Sequence, residues 1–132
     1  RQMCIRDRLT YPVLFRTSDD QSWYRVYLGR FSTREEAELA SLQLRHQNKI
    51  PYSLPLSVPY GLLTGSFARE EDAEERKILL RVKGLLPYIL TFASGEGVEH
   101  RVYIGAFPSA EQAEEEARVL RENHTAYTVA RF

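Results

Sequence analysis

The chain has 132 residues, 43% hydrophobic and 27% charged, with 18 Lys plus Arg against 18 Asp plus Glu. This is globular composition, enough for one domain or two small ones, and the zero formal net charge disfavours general nucleic-acid binding, which draws most of its affinity from basic groups that neutralise phosphates. One cysteine, Cys4, excludes an internal disulfide and a cysteine zinc site, and no apolar run approaches the roughly 20 residues of a spanning helix.

Residues 1–8 carry neither helical nor strand periodicity. The string Met3-Cys4-Ile5-Arg6-Asp7-Arg8 resembles a translated sequencing adapter, so this stretch is read as a non-native or disordered N-terminus. From there the pattern predicts a strand over Pro12–Arg16, a polar hairpin at Thr17–Gln21 and an alternating strand over Tyr24–Leu28 that Gly29 ends. A helix follows, with Ser32 and Glu35 spaced as a capping box, then a strand over Tyr52–Leu56. The prolines Pro55 and Pro59 suit an edge strand leaving a sheet. After them come Gly61-Leu62-Leu63-Thr64, a second helix, a strand over Leu86–Phe92, a hairpin at Ser94–Gly97 and a strand over His100–Ile104. A third helix, capped by Ser109 with Gln112, leads to a last strand over Ala126–Ala130.

Internal repetition organises these elements. With Gly29, Gly65 and Gly105 aligned, all three copies have Phe two residues later (Phe31, Phe67, Phe107), Ala eight later (Ala37, Ala73, Ala113) and Leu fifteen later (Leu44, Leu80, Leu120). Glu recurs six and nine later and Arg sixteen later, so seven positions in all are identical. The Ala and Leu stand two helical turns apart on one stripe. Copies one and three also share Arg-Val-Tyr before an apolar residue and the glycine, and each follows a strand and a polar hairpin. The larger unit is therefore 76 residues, the distance from Gly29 to Gly105. Residues 57–132 then form a complete strand, helix, strand, strand, helix, strand unit, and residues 9–56 the second part of a preceding one. The helices need an apolar sheet face, which predicts an α+β fold with an antiparallel four-stranded sheet, two helices on one side and the other side open.

Strand alternation nominates residues on that open side. If Val26 and Leu28 face the helices, Trp23, Arg25 and Tyr27 face away; in the complete unit the equivalents are Glu99, Arg101 and Tyr103. An aromatic ring beside an arginine suits a sugar: the ring covers an apolar face while the guanidinium forks onto hydroxyls or the lactyl carboxylate of muramic acid. Plainer roles stand beside this one. Trp23 and Tyr27 could be sheet cover, Arg25 and Arg101 could pair with Asp20 and Glu99, and Phe31, Phe67 and Phe107 read as core.

The motifs Tyr24-Arg25-Val26-Tyr27-Leu28-Gly29-Arg30-Phe31, Gly65-Ser66-Phe67 and Arg101-Val102-Tyr103-Ile104-Gly105-Ala106-Phe107, with the helical Ala and Leu behind each, resemble the SPOR (sporulation-related repeat) domain family over about residues 9–132. The resemblance implies a βαββαβ ferredoxin-like fold, non-catalytic binding of septal peptidoglycan stripped of stem peptides, and a place in the periplasm or cell envelope on a protein anchored by a membrane segment outside this chain. It also implies glycan-binding roles for Trp23 and Arg25 in the partial unit and for Arg101 and Ser66 in the complete one. Two departures stand out: Glu99 where a tryptophan is common, and Leu63 where a glutamine is common. They shift weight onto Tyr103 and Tyr88, and they leave open an alternative in which the same sheet face docks an envelope, division or secretion protein. Ser66 could equally satisfy local amides.

No cofactor is implied. His46, His100 and His124 have no partner at ligand or triad spacing, and Glu96 with Glu99 sit on a flat hairpin rather than in a cleft that flanks a sugar. The chain is accordingly expected not to be an enzyme. RNA binding is disfavoured, because the neutral charge and the missing glycine-aromatic signature argue against a sheet of the RNA-recognition type.

Overall fold

A computed structural model describes residues 10–16, 22–28, 31, 33–46 and 57–132, with backbone alone for the first two stretches. The expected N-terminal segment 1–8, the cap Ser32 and the strand at Tyr52–Leu56 lie outside the described residues. The chain divides into two compact units, Arg1–Thr10 with Tyr27–Ser57 and Tyr11–Val26 with Val58–Phe132.

Strands β1 (Thr10–Arg16) and β2 (Ser22–Leu28) form a two-stranded sheet. Helix α1 spans Arg34–His46 and buries Ala40, Ser41 and Leu44, the stripe expected from the shared Ala and Leu. Its first turn is capped by Thr33, whose Oγ1 accepts the Glu36 N–H at 3.2 Å.

The second unit holds a four-stranded sheet of β3 (Tyr60–Phe67), β4 (Pro87–Ser94), β5 (Gly97–Phe107) and β6 (Thr128–Arg131) in the order β4-β5-β3-β6, antiparallel throughout. The helices are α2 (Glu70–Val82), α3 (Ala110–Glu116) and α4 (Arg118–Glu122). This is the α+β, ferredoxin-like arrangement that the strand and helix order predicts. Helix α2 packs Ala73 and Leu80 on Val102, with Phe67, Ile89 and Ile104 around them. Helices α3 and α4 pack Ala113, Ala117 and Leu120 on Leu62 and Phe107, and Ile104 joins the two clusters. Each fully buried leucine here stabilises the fold by roughly 1.5–3 kcal/mol.

Two local expectations are corrected. Gly65 and Gly105 do not end their strands as the repeat predicts: β3 and β5 continue through them to the phenylalanine two residues on. An extra residue on β3 between Leu63 and Gly65, and another on β5 between Ile104 and Phe107, bulge the ladder instead. The β5 bulge lets Ile104 and Phe107, an odd number of residues apart, both face the helices. The single helix expected in the third copy is broken at Ala117. There the Arg121 guanidinium donates to the Glu114 carbonyl at 3.3 Å and pairs with its carboxylate at 2.9 Å, occupying an acceptor that a continuous helix would give to the backbone. In α2, Leu80 is buried while Ile78, Leu79 and Val82 are exposed.

The helix ends show how the repeats diverge. Gly84 follows α2 at φ 83°, with its N–H on Arg81 and that of Leu85 on Leu80, a Schellman closure. His124 takes the matching place after α4 at φ 53°, with the same bonds to Arg121 and from Thr125 to Leu120. A side chain in this left-handed conformation is strained. His124→Gly is therefore expected to raise stability by about 0.5–1 kcal/mol in urea titration. At the other helix end, Ser109 Oγ accepts the Gln112 N–H at 3.2 Å, and Ser109→Ala should cost about 1 kcal/mol in the same measurement.

Candidate functional site

The side of the sheet away from the helices is assembled by the β4–β5 hairpin and the β3 bulge. Tight closure pairs Ser94 with Gly97, so Phe92 stands opposite Glu99, Leu90 opposite Arg101 and Tyr88 opposite Tyr103. On β3, Leu63 is paired with Tyr103 and Ser66 with Arg101. Plain alternation from Leu62, which faces the helices, would turn Ser66 toward them as well. The extra residue before Gly65 brings Ser66 onto the Arg101 side, and the displaced Thr64 is secured by its Oγ1 donating to Val102 O at 3.0 Å and by Arg76 donating to its carbonyl at 2.8 Å.

Ser66, Glu99 and Arg101 meet there. Arg101 Nε donates to Glu99 Oε1 at 3.0 Å and its NH2 to Oε2 at 3.1 Å, a two-toothed fork on one carboxylate. The Ser66 hydroxyl donates to the same Oε1 in a short hydrogen bond. The guanidinium lies over the Phe92 ring at 4.3 Å, and its NH1 reaches the Tyr103 hydroxyl at 3.5 Å. The Arg101 side chain is 29% exposed and that of Glu99 44%, so the cluster is open to solvent on one side.

Electrostatics follow from the contacts. The Arg101 hydrogen bonds, with that of Ser66 next, hold the Glu99 carboxyl below its ordinary value, and the Glu99 carboxylate in turn raises Arg101 further. Because the folded value of Glu99 is depressed, the stability it contributes is present above the unfolded carboxylate value and lost as pH falls through the folded one. Arg101→Gln is expected to return the Glu99 carboxyl toward the ordinary range, read as a shifted midpoint for its side-chain carboxyl carbon in an NMR pH titration. An unmoved midpoint would show that the fork does not set it.

Toward the middle of the sheet the same side closes. Tyr103 is fully buried, and Tyr88 and Leu90 are nearly so. Tyr103 stacks on Tyr88 with ring centres 6.0 Å apart and meets the Phe132 ring edge-on at 4.9 Å. Tyr88 donates its hydroxyl to Gly105 O at 2.6 Å, and Phe132 occupies the space over Gly61, where a Cβ would meet its ring at 2.6 Å. Alternation thus gives the direction of Tyr103 correctly, but neither tyrosine offers a free ring. Among the residues picked from sequence, Ser66 and Arg101 are brought together, and Tyr88 and Tyr103 lie beside them as a floor. Trp23, Arg25 and Tyr27 are carried by β2; their side chains lie outside the described residues. Phe92, the platform under Arg101, is not among the residues that strand alternation nominates; the hairpin register, counted back from Ser94 and Gly97, is the signal that locates it.

The SPOR domain family model matches residues 6–52 and 57–129, most of the chain, in two successive segments. The chain belongs to the SPOR family. SPOR domains are peptidoglycan-binding modules, generally without catalytic activity, and occur in bacterial envelope and division proteins. No curated protein and no solved structure matches the chain significantly. The gap between the two segments, residues 53–56, takes in Pro55, and the second segment covers all four strands of the sheet apart from the end of β6.

Proposed function

We propose that this SPOR chain binds denuded glycan strands of septal peptidoglycan and thereby targets its parent envelope protein to the cell wall or division site, without catalysis. The observation that carries the reading is the convergence of the Ser66 hydroxyl and the Arg101 fork on one side of the sheet, held by Phe92 and Tyr103. In the complete unit, residues 57–132, Ser66 and Arg101 make the polar contacts, while Tyr88 and Tyr103 act beneath them as support. In the partial unit, residues 9–56, Trp23, Arg25 and Tyr27 occupy the positions equivalent to Glu99, Arg101 and Tyr103 and supply the aromatic stacking that the second unit lacks. The periplasmic face of the envelope is the compartment this reading requires, with any membrane anchor outside this chain.

Cosedimentation of the full chain with amidase-treated sacculi tests the proposal. Enrichment over untreated sacculi, reduced by Trp23→Ala and by Arg101→Gln, is the expected result; pelleting no better than an unrelated protein overturns it. The Glu99 carboxylate seated on Arg101 favours a second reading, in which the face docks an envelope or division protein. Crosslinked capture of one such partner, with sacculus binding absent, would support that instead.

A further inference from the structure

We propose that Ser66 and Arg101 form a seat for a single carboxylate, filled from within the chain by Glu99, and that a carboxylate-bearing sugar binds this unit by displacing Glu99. The inference rests on the glycan-binding reading and names the group that the complete unit selects.

Three donors on two elements converge on one planar group: Arg101 Nε and NH2 from β5, one to each oxygen, and the Ser66 hydroxyl from β3 on Oε1. That is the geometry with which an arginine reads a carboxylate, and a lone sugar hydroxyl cannot satisfy both teeth. The receptor half of the seat is held independently of its occupant. Phe92 supports the guanidinium plane from below and the buried Tyr103 holds NH1, so the fork stays aimed when Glu99 swings out. The occupant, in contrast, is loosely tied. Glu99 is about half exposed, lies only two residues from Arg101 on the same strand, and forms an ion pair of the solvated kind that contributes little net free energy. An incoming carboxylate replaces like with like at small cost. In glycan strands the lactyl group of muramic acid is the carboxylate at hand, whereas N-acetylglucosamine has none. On the corresponding strand the first repeat carries Trp23 in place of Glu99, two residues before Arg25, so that arginine has no acid at the position from which Glu99 fills the seat.

The test uses the full chain, with the Arg101 Nε–Hε signal followed by NMR during titration with N-acetylmuramic acid and, separately, N-acetylglucosamine. In the wild type N-acetylmuramic acid should move the signal and N-acetylglucosamine should not. Glu99→Gln should lower the concentration of N-acetylmuramic acid for half effect by about threefold to fivefold, the ratio a solvated ion pair can supply, and Glu99→Ser should do the same. Equal responses in wild type and both variants, an equal response to both sugars, or no response to either overturns the proposal. A muramate-selective response without sacculus binding leaves the seat standing and removes the glycan-strand reading. Sacculus binding with no gain in the Glu99 variants does the reverse.

Discussion

Gly105→Ala should destabilise the complete unit by about 2–5 kcal/mol, the largest loss expected from a single added methyl group among the described glycines. Two costs combine at this position. Gly105 sits at φ 74°, where an L side chain is disfavoured by about 1–2 kcal/mol. A Cβ there would also come within 2.6 Å of Phe107 Cε2, and Phe107 is packed against Leu62 and the α3–α4 pair, so the ring cannot withdraw without opening the core. Gly65 separates the two effects. Its Cβ would stand 2.8 Å from Phe67 Cε2 with no positive φ, so Gly65→Ala should cost only the overpacking share, about 1–3 kcal/mol. Urea denaturation of the two variants side by side checks this; equal losses would mean that backbone conformation contributes nothing at Gly105. The comparison also explains the repeat itself. In both copies the phenylalanine two residues on folds its ring back over the glycine, so glycine and phenylalanine form one packing unit.

Much of this was legible in the sequence because it depends on short-range pattern. Seven identities in register gave the repeat, alternation gave Val102 and Ile104 facing the helices, and Ser109 gave its cap. What failed depends on longer-range geometry. A glycine after an alternating run can end a strand or bulge it, and the same three letters, Gly, any residue, Phe, serve either reading. The choice is made by which partner residues the neighbouring strand supplies, here Tyr103 and Val102 opposite Leu63 and Gly65. The bulge in turn determines which side Ser66 joins, so alternation alone could not have placed it. Exposure is harder still. Alternation tells which way Tyr103 points, but not that it is buried, with its ring against Tyr88 and Phe132, 15 residues before it and 29 after. In α2, the apolar run Ile78-Leu79-Leu80 could have been core throughout, yet the helix stripe that already holds Ala73 admits Leu80 alone.

The second large effect is expected at Tyr103. Tyr103→Ala should cost about 3–5 kcal/mol, because a fully buried ring wedged between Tyr88 and Phe132 leaves a cavity that the strands around it cannot close. The hydroxyl matters much less to folding. Its contact with Arg101 NH1 is 3.5 Å long, and Tyr103→Phe keeps the ring, so its stability should stay within about 1 kcal/mol of wild type. The pair of variants thus distinguishes a supporting ring from a ligand platform. If Tyr103 were an exposed stacking surface for sugar, Tyr103→Ala would fold nearly as well as wild type and fail only in sacculus binding. With the ring as floor, unfolding and binding fail together in Tyr103→Ala, whereas Tyr103→Phe folds normally. Any binding that Tyr103→Phe loses must then come through Arg101, which gives up one of the contacts that hold its fork in place.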